Sequence, residues 1–217
     1  MSTNVRRAPA GDGLFIVGLV GRAGSGKSAV ANLLAEDGAT VIEADLVGHE
    51  VTDRDPEVRA ALAREYGEDI YRLDGRLDRE QVAAIVFRDP VARARLDRLV
   101  HPRLVARIVE RLEGLRAHGT RGVVVLDAAL LLEWGLERGC DVVVAVTASP
   151  SEQVRRLMGG RGWTEGEARG RLMAQRTDEA FSAAADVTLD NSGSIEDLAL
   201  RARAAIAALR AVRAERG

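Results

Sequence analysis

The sequence predicts an α/β fold built on a five-stranded parallel sheet flanked by helices, and three observations carry that reading. Five short apolar runs of strand length recur along the chain, the clearest of them continuous rather than alternating, as in strands covered on both faces. Stretches of helical period separate these runs. The first run leads straight into a glycine-rich turn that opens a helix, the arrangement in which a parallel sheet binds phosphate.

That first run is Leu14-Phe15-Ile16-Val17-Gly18-Leu19-Val20, followed by Gly21-Arg22-Ala23-Gly24-Ser25-Gly26-Lys27-Ser28. Glycine, four residues, then Gly-Lys-Ser is the pattern of a phosphate-binding loop. Gly21, Gly24 and Gly26 let the backbone curl with its N–H groups inward, and the helix that starts near Ala29 adds the positive end of its dipole, with Ser25 and Ala29 completing the cradle. Lys27 reaches the β- and γ-phosphates, and the Ser28 hydroxyl is placed to ligate Mg²⁺. Lys27 is also the only lysine among 31 basic residues of a 217-residue chain. A compact ammonium fits inside a loop wrapped round phosphate where a planar guanidinium does not, so the position itself resists arginine.

After the first helix, Gly38 reads as its C-terminal stop and Thr40-Val41-Ile42 as a second strand ending at Glu43-Ala44-Asp45. Carboxyl ends of parallel strands face the ligand crevice, which makes Asp45 a candidate general base. The same residue equally suits the N-cap of a helix starting at Leu46. From residue 46 to 115 the pattern is helix after helix without a strand, which predicts an inserted helical subdomain for an acceptor, its last helix beginning at His101-Pro102. Gly122-Val123-Val124-Val125-Leu126-Asp127 is the third strand. Asp127 at its end is placed either to hold Mg²⁺ or to cap a helix over 128–134.

Asp141–Thr147 is the fourth strand and Asp186–Asp190 a short fifth at an edge. Between them, about 151–182, lies an arginine-rich helical stretch with Gly159, Gly160 and Gly162 as hinges. It reads as a lid closing over phosphates, or as solvated helices with Glu165 and Glu167 pairing their arginines. Residues 1–13 form an expected disordered tail without the apolar segment of a signal peptide. The core is expected over 14–45 and 116–217. A net charge of −2 argues against a nucleic-acid footprint, the single Cys140 reads as inert packing in an apparent buried strand, and the most apolar stretch is too short to span a bilayer. The expectation is a cytoplasmic protein.

Residues alone stop at a P-loop enzyme whose acceptor is open: a small-molecule kinase for one of several hydroxyl acceptors, or a nucleotide-binding regulatory protein. Beyond that point the chain resembles the dephospho-coenzyme A kinase family from Phe15 to about Leu198. The resemblance rests on Val17 through Ser28, Val41-Ile42-Glu43-Ala44-Asp45, Asp74-Gly75-Arg76-Leu77-Asp78-Arg79 with Val86-Phe87, Leu99-Val100-His101-Pro102, Leu130 through Leu136, and Asp190-Asn191-Ser192-Gly193. It implies a P-loop kinase fold with a helical substrate-binding insert and an arginine-rich lid. It further implies ATP and Mg²⁺ as cofactors, dephospho-CoA as acceptor and a monomer or weak homo-oligomer. Asp45 becomes the base, Arg161 a lid cation, Asn191 a residue near the adenine, and His101 and Glu133 acceptor-site positions. The chain departs from the family at Glu43, Ala129 and Gly162. It departs most at Asp178-Glu179-Ala180-Phe181-Ser182, where relatives tend to carry Lys-Arg and this chain has no cation.

Overall fold

The computed structural model describes residues 13–216, the side chains of Arg161, Ile195 and residues 212–216 excepted. The expected tail over residues 1–13 thus lies, but for Gly13, outside the described residues. The chain divides into two compact units: a helical unit, Glu43–Gly114, and a core unit that comprises residues 13–42 and 115–216 among those described.

The core unit is organised by strand β1 (Leu14–Val20), every residue of which is buried. Strands β2 (Thr40–Glu43), β3 (Gly122–Asp127), β4 (Val142–Thr147) and β5 (Val187–Asp190) complete a sheet in the order β2-β3-β1-β4-β5. Strand β1 pairs in parallel with β3 and with β4, and β4 with β5, so the apolar runs are interior strands and the shortest lie at the edges. Aspartates extend two of these ladders beyond the strands. Asp141 accepts the Ile16 amide and Asp186 the Val143 amide, both at 2.7 Å, which satisfies amides at strand beginnings where no backbone partner exists. On one face, α1 (Lys27–Glu36) and α9 (Ile195–Arg216) bury Val30, Ala31 and Leu34 with Leu198, Ala202 and Ile206 against the sheet; the spacing of four in the second set is one helix stripe. Helices α6 (Pro150–Arg161), α7 (Glu165–Met173) and α8 (Asp178–Ala183) occupy the stretch read as a lid.

The helical unit consists of α2 (Ala44–Arg54), α3 (Pro56–Tyr66), α4 (Arg79–Arg88) and most of α5 (Pro90–Ala117). Its centre is Val47, Val51, Leu62, Ile70 and Ile108, all essentially inaccessible to solvent. Asp55 joins its helices: its carboxylate caps α3 by accepting the Glu57 and Val58 amides, and it receives Arg103 Nε of α5 at 2.5 Å. The Arg103 guanidinium, helped by the two amides, holds the Asp55 carboxyl below its usual range against the opposing effect of burial. That stabilisation is complete above the unfolded carboxylate value near pH 4 and disappears as the pH falls through the lower folded value. Asp55→Ala is expected to cost about 2 kcal/mol at pH 7, chiefly the lost cap, and chemical denaturation at about pH 2 should show a smaller gap from the parent protein.

Several local expectations are corrected. Asp45 neither ends β2 nor caps a helix. Strand β2 stops at Glu43, which occupies the N-cap without a side-chain bond, and Asp45 is the second residue of α2. His101-Pro102 begins nothing: α5 runs unbroken for 28 residues with Pro102 inside. A proline costs a helix roughly 3 kcal/mol. Burial of Ala92 and Val100 before it and of Leu104, Val105, Ile108 and Leu112 after it outweighs that cost. Residues 129–135 form successive turns, leaving no helix for Asp127 to cap. The side chains buried there, Leu131 and Leu136, are five apart, a spacing that one helix face does not present. Gly159 and Gly160 lie inside α6, and only Gly162 terminates it, with φ of 65°. Cys140 is buried but precedes β4, and burial, with Glu137 and Asp186 adding negative charge, pushes its thiol up to about 12. The inert reading therefore holds, although the strand placement does not.

Candidate active site

The phosphate-binding loop connects β1 to α1, and its curl is maintained from outside by three elements of the core unit. Asn191, just beyond β5, donates from Nδ2 to Ser25 O at 2.8 Å, while its own amide is held by Thr147 O of β4. Arg156 of α6 donates to Gly24 O and Ser25 O at 3.3 and 3.2 Å and to Asn191 O at 2.8 Å. These approaches require glycine. Gly26 adopts φ of 103°, and a Cβ there would lie 2.0 Å from Asn191 Nδ2. Gly24 adopts φ of 75°, and its Cβ would lie 2.6 Å from Gln153 O. The Gly24 and Ser25 carbonyls of the loop thus turn outward to Asn191 and Arg156.

Lys27 opens α1, and its ammonium donates back to Gly21 O at 2.9 Å and Arg22 O at 3.3 Å. Ser28 follows, and its Oγ donates to Asp127 Oδ2 at 3.2 Å. The end of β3 therefore meets the start of α1, and two hard oxygen donors stand side by side next to the ammonium. Among the described residues, no cluster of three or more His, Cys, Asp or Glu could hold a metal alone. A hydroxyl and one carboxylate fit Mg²⁺, which takes few protein ligands and fills the remaining positions with phosphate oxygens and water. Ala29, next in the helix, contributes backbone only. Ser25 is fully buried, and its hydroxyl has no hydrogen-bond partner.

The second layer comes from α7, α8 and their link. Gln175 Oε1 accepts the Ala23 amide at 2.9 Å, Arg22 donates to Leu172 O, and Gln153 donates to Asp178 Oδ2 at 2.7 Å. Glu133, in the turns after β3, accepts Arg176 Nε at 2.7 Å and so ties those turns to the link between α7 and α8. The arginines of this stretch divide by role. Arg155 and Arg169 form exposed ion pairs with Glu152 and Glu165, whereas Arg156 is three-quarters buried against the loop. Glu167 closes a capping box with Thr164. Arg161 ends α6. In the helical unit, Asp45 lies in the first turn of α2, and His101 lies on α5 with Asp97 at 3.3 Å.

That unit also contains a cavity of about 670 Å³ whose lining includes Arg54, Arg76, Arg79 and Arg111 with His49 and Leu46. Arg79 and Arg111 are braced by Asp53 and Glu50, which orients their remaining N–H groups. Sequence reasoning missed this pocket, Gln153 and Gln175, and took Arg156 only as one of several arginines of the stretch read as a lid. Nothing distinguishes Arg156 from Arg155 in the chain, since one helical step of about 100° decides which faces the loop.

Against known proteins, a family model described as dephospho-CoA kinase matches residues 15–197. A dephospho-CoA kinase of Corynebacterium glutamicum is 41% identical over 182 residues, 84% of this chain and 93% of that one. Among solved structures, TT1252 from Thermus thermophilus superposes with a TM-score of 0.74 at 34% identity, covering 90% of this chain and 97% of that one. A dephospho-CoA kinase from Campylobacter jejuni superposes at 0.63 with 20% identity, covering 90% and 97%, a likeness of fold. No helix among the described residues is long and apolar enough to cross a membrane.

Proposed function

The chain belongs to the dephospho-CoA kinase family, and on that premise we propose how its residues carry the reaction in which the terminal phosphoryl group of ATP passes to the ribose 3′-hydroxyl of dephospho-CoA, giving CoA and ADP. The observation that carries the phosphoryl-transfer reading is the meeting of Ser28, next in the chain to Lys27, with Asp127 at a glycine loop whose Gly24 and Ser25 carbonyls are held from outside and whose Gly21 and Arg22 carbonyls receive the Lys27 ammonium. Loop amides and Lys27 bind the β- and γ-phosphates, and Ser28 with Asp127 would hold Mg²⁺, which would supply neutralising charge for the transfer. Asn191 acts on ATP through the loop it braces, next to the segment where the adenine belongs. Arg161 is the lid cation.

Asp45 accepts the proton of the acceptor hydroxyl as it attacks. The helical unit receives the acceptor, and the four arginines of its cavity suit the diphosphate bridge of dephospho-CoA. Glu133 fixes the Arg176 link beneath the lid, and His101 with Asp97 shapes the α5 side of the acceptor unit. Purified protein with Mg-ATP and dephospho-CoA should form CoA and ADP in equal amounts, and an acceptor panel of nucleosides, sugars and shikimate should give none. ATP binding without phosphorylation of dephospho-CoA would refute the acceptor.

A further inference from the structure

One cation of the phosphate loop remains without a role in the scheme above. Arg22 is the second residue of the loop, only 16% of its side chain is exposed, and its bonds are poor for a buried guanidinium. Nη1 stands 3.9 Å from Asp178 Oδ2, beyond hydrogen-bond range; Nη2 reaches Leu172 O; and Nε is buried with no partner. Asp178 is no better served, because Gln153 Nε2 holds Oδ2 at 2.7 Å while Oδ1 is buried and unpartnered. Burying charges is costly unless they are closely paired and their hydrogen bonds are satisfied, and this pair satisfies neither condition. The backbone of Arg22 nevertheless stands beside the Lys27 ammonium, which donates to its carbonyl and to that of Gly21. Burial raises the Asp178 carboxyl, and both Arg22 and Lys27 act on it in the opposite sense, so its field is shared with the ammonium that meets the γ-phosphate.

We propose that Arg22 is the second phosphate-binding cation of this site, exchanging its long ion pair with Asp178 for the terminal phosphoryl group of bound ATP. A terminal phosphate offers a guanidinium what Asp178 withholds, two unshielded oxygens in a bidentate geometry, including a partner for Nε. Asp178 keeps Gln153 when Arg22 leaves. The exchange also brings positive charge from the loop to a place where α8, Asp178–Ala183, carries no cation of its own.

The inference rests on the kinase reading for its ligand but not on the acceptor. Dissociation constants of Mg-ATP and Mg-ADP are therefore compared by calorimetry for the parent protein, Arg22→Ala and Arg22→Gln, the last retaining a donor for Leu172 O should the alanine variant fold poorly. The expected result is a loss of roughly tenfold in ATP affinity with ADP affinity within about twofold, so that the preference for ATP collapses in both variants. Asp178→Asn, which frees Arg22, should keep or increase that preference. Equal weakening of both nucleotides, or an unchanged preference, would make Arg22 a structural brace and overturn the proposal. A parent protein that prefers ATP yet makes no CoA would instead defeat only the acceptor assignment.

Discussion

Asp45→Asn is expected to bind ATP with unchanged affinity and to lower kcat by about 10²- to 10⁴-fold, the range over which a positioned general base contributes. The substitution removes a proton acceptor while keeping size and hydrogen-bonding capacity. The local structure gives Asp45 a competing reason to exist, because an acid in the first turn of α2 complements the helix dipole. That role contributes about 0.3–1 kcal/mol to stability and nothing to turnover, so the two separate cleanly. If Asp45 serves only the helix, Asp45→Asn lowers the melting temperature slightly and retains kcat within about fivefold. Single-turnover measurements at saturating dephospho-CoA read the chemical step directly, and a near-parental rate there would remove Asp45 from the mechanism.

Lys27→Ala should reduce kcat/KM by about 10²- to 10³-fold, and Lys27→Arg should not restore it. The side chain acts in two ways. Its ammonium ties Gly21 O and Arg22 O together across the loop, and in the proposed mechanism the same ammonium meets the transferring phosphoryl group. Alanine removes both, so ATP affinity and kcat fall together. Arginine keeps the charge but brings a planar, branched head where a single ammonium now reaches both carbonyls, in a loop whose approach at Gly24 and Gly26 is already limited by Gln153 and Asn191. Restoration of parental kcat/KM by Lys27→Arg would show that charge alone matters and that the solitary lysine of this arginine-rich chain has no steric cause.

The loop and its neighbours show why some of the site was legible in the chain and some was not. A phosphate loop is local: the glycines, Lys27 and Ser28 must be adjacent because one turn and one helix start build the whole cradle, so spacing alone reveals it. The three interior strands were legible for a related reason. Burial on both faces demands unbroken apolar runs, and β1 and β3 have the bounds expected of them. Acidic residues were less legible, because an aspartate after a strand serves a cap, a metal or a base with the same local sequence. Asp127 meets Ser28 from 99 residues away, a contact that no local pattern shows.

By itself, then, the sequence determined the sheet and the phosphate loop, both encoded by short-range periodicity and fixed motif spacing, and its motifs carried the resemblance to the family. Tertiary structure alone decided that α5 passes through Pro102, that the turns after Asp127 form no helix, and which of two adjacent arginines braces the loop. It alone set Arg22 against Asp178. Each of these depends on packing between residues remote in the chain, where burial of apolar surface and the cost of an unpaired charge exceed the few tenths of a kcal/mol by which local propensity distinguishes most residues.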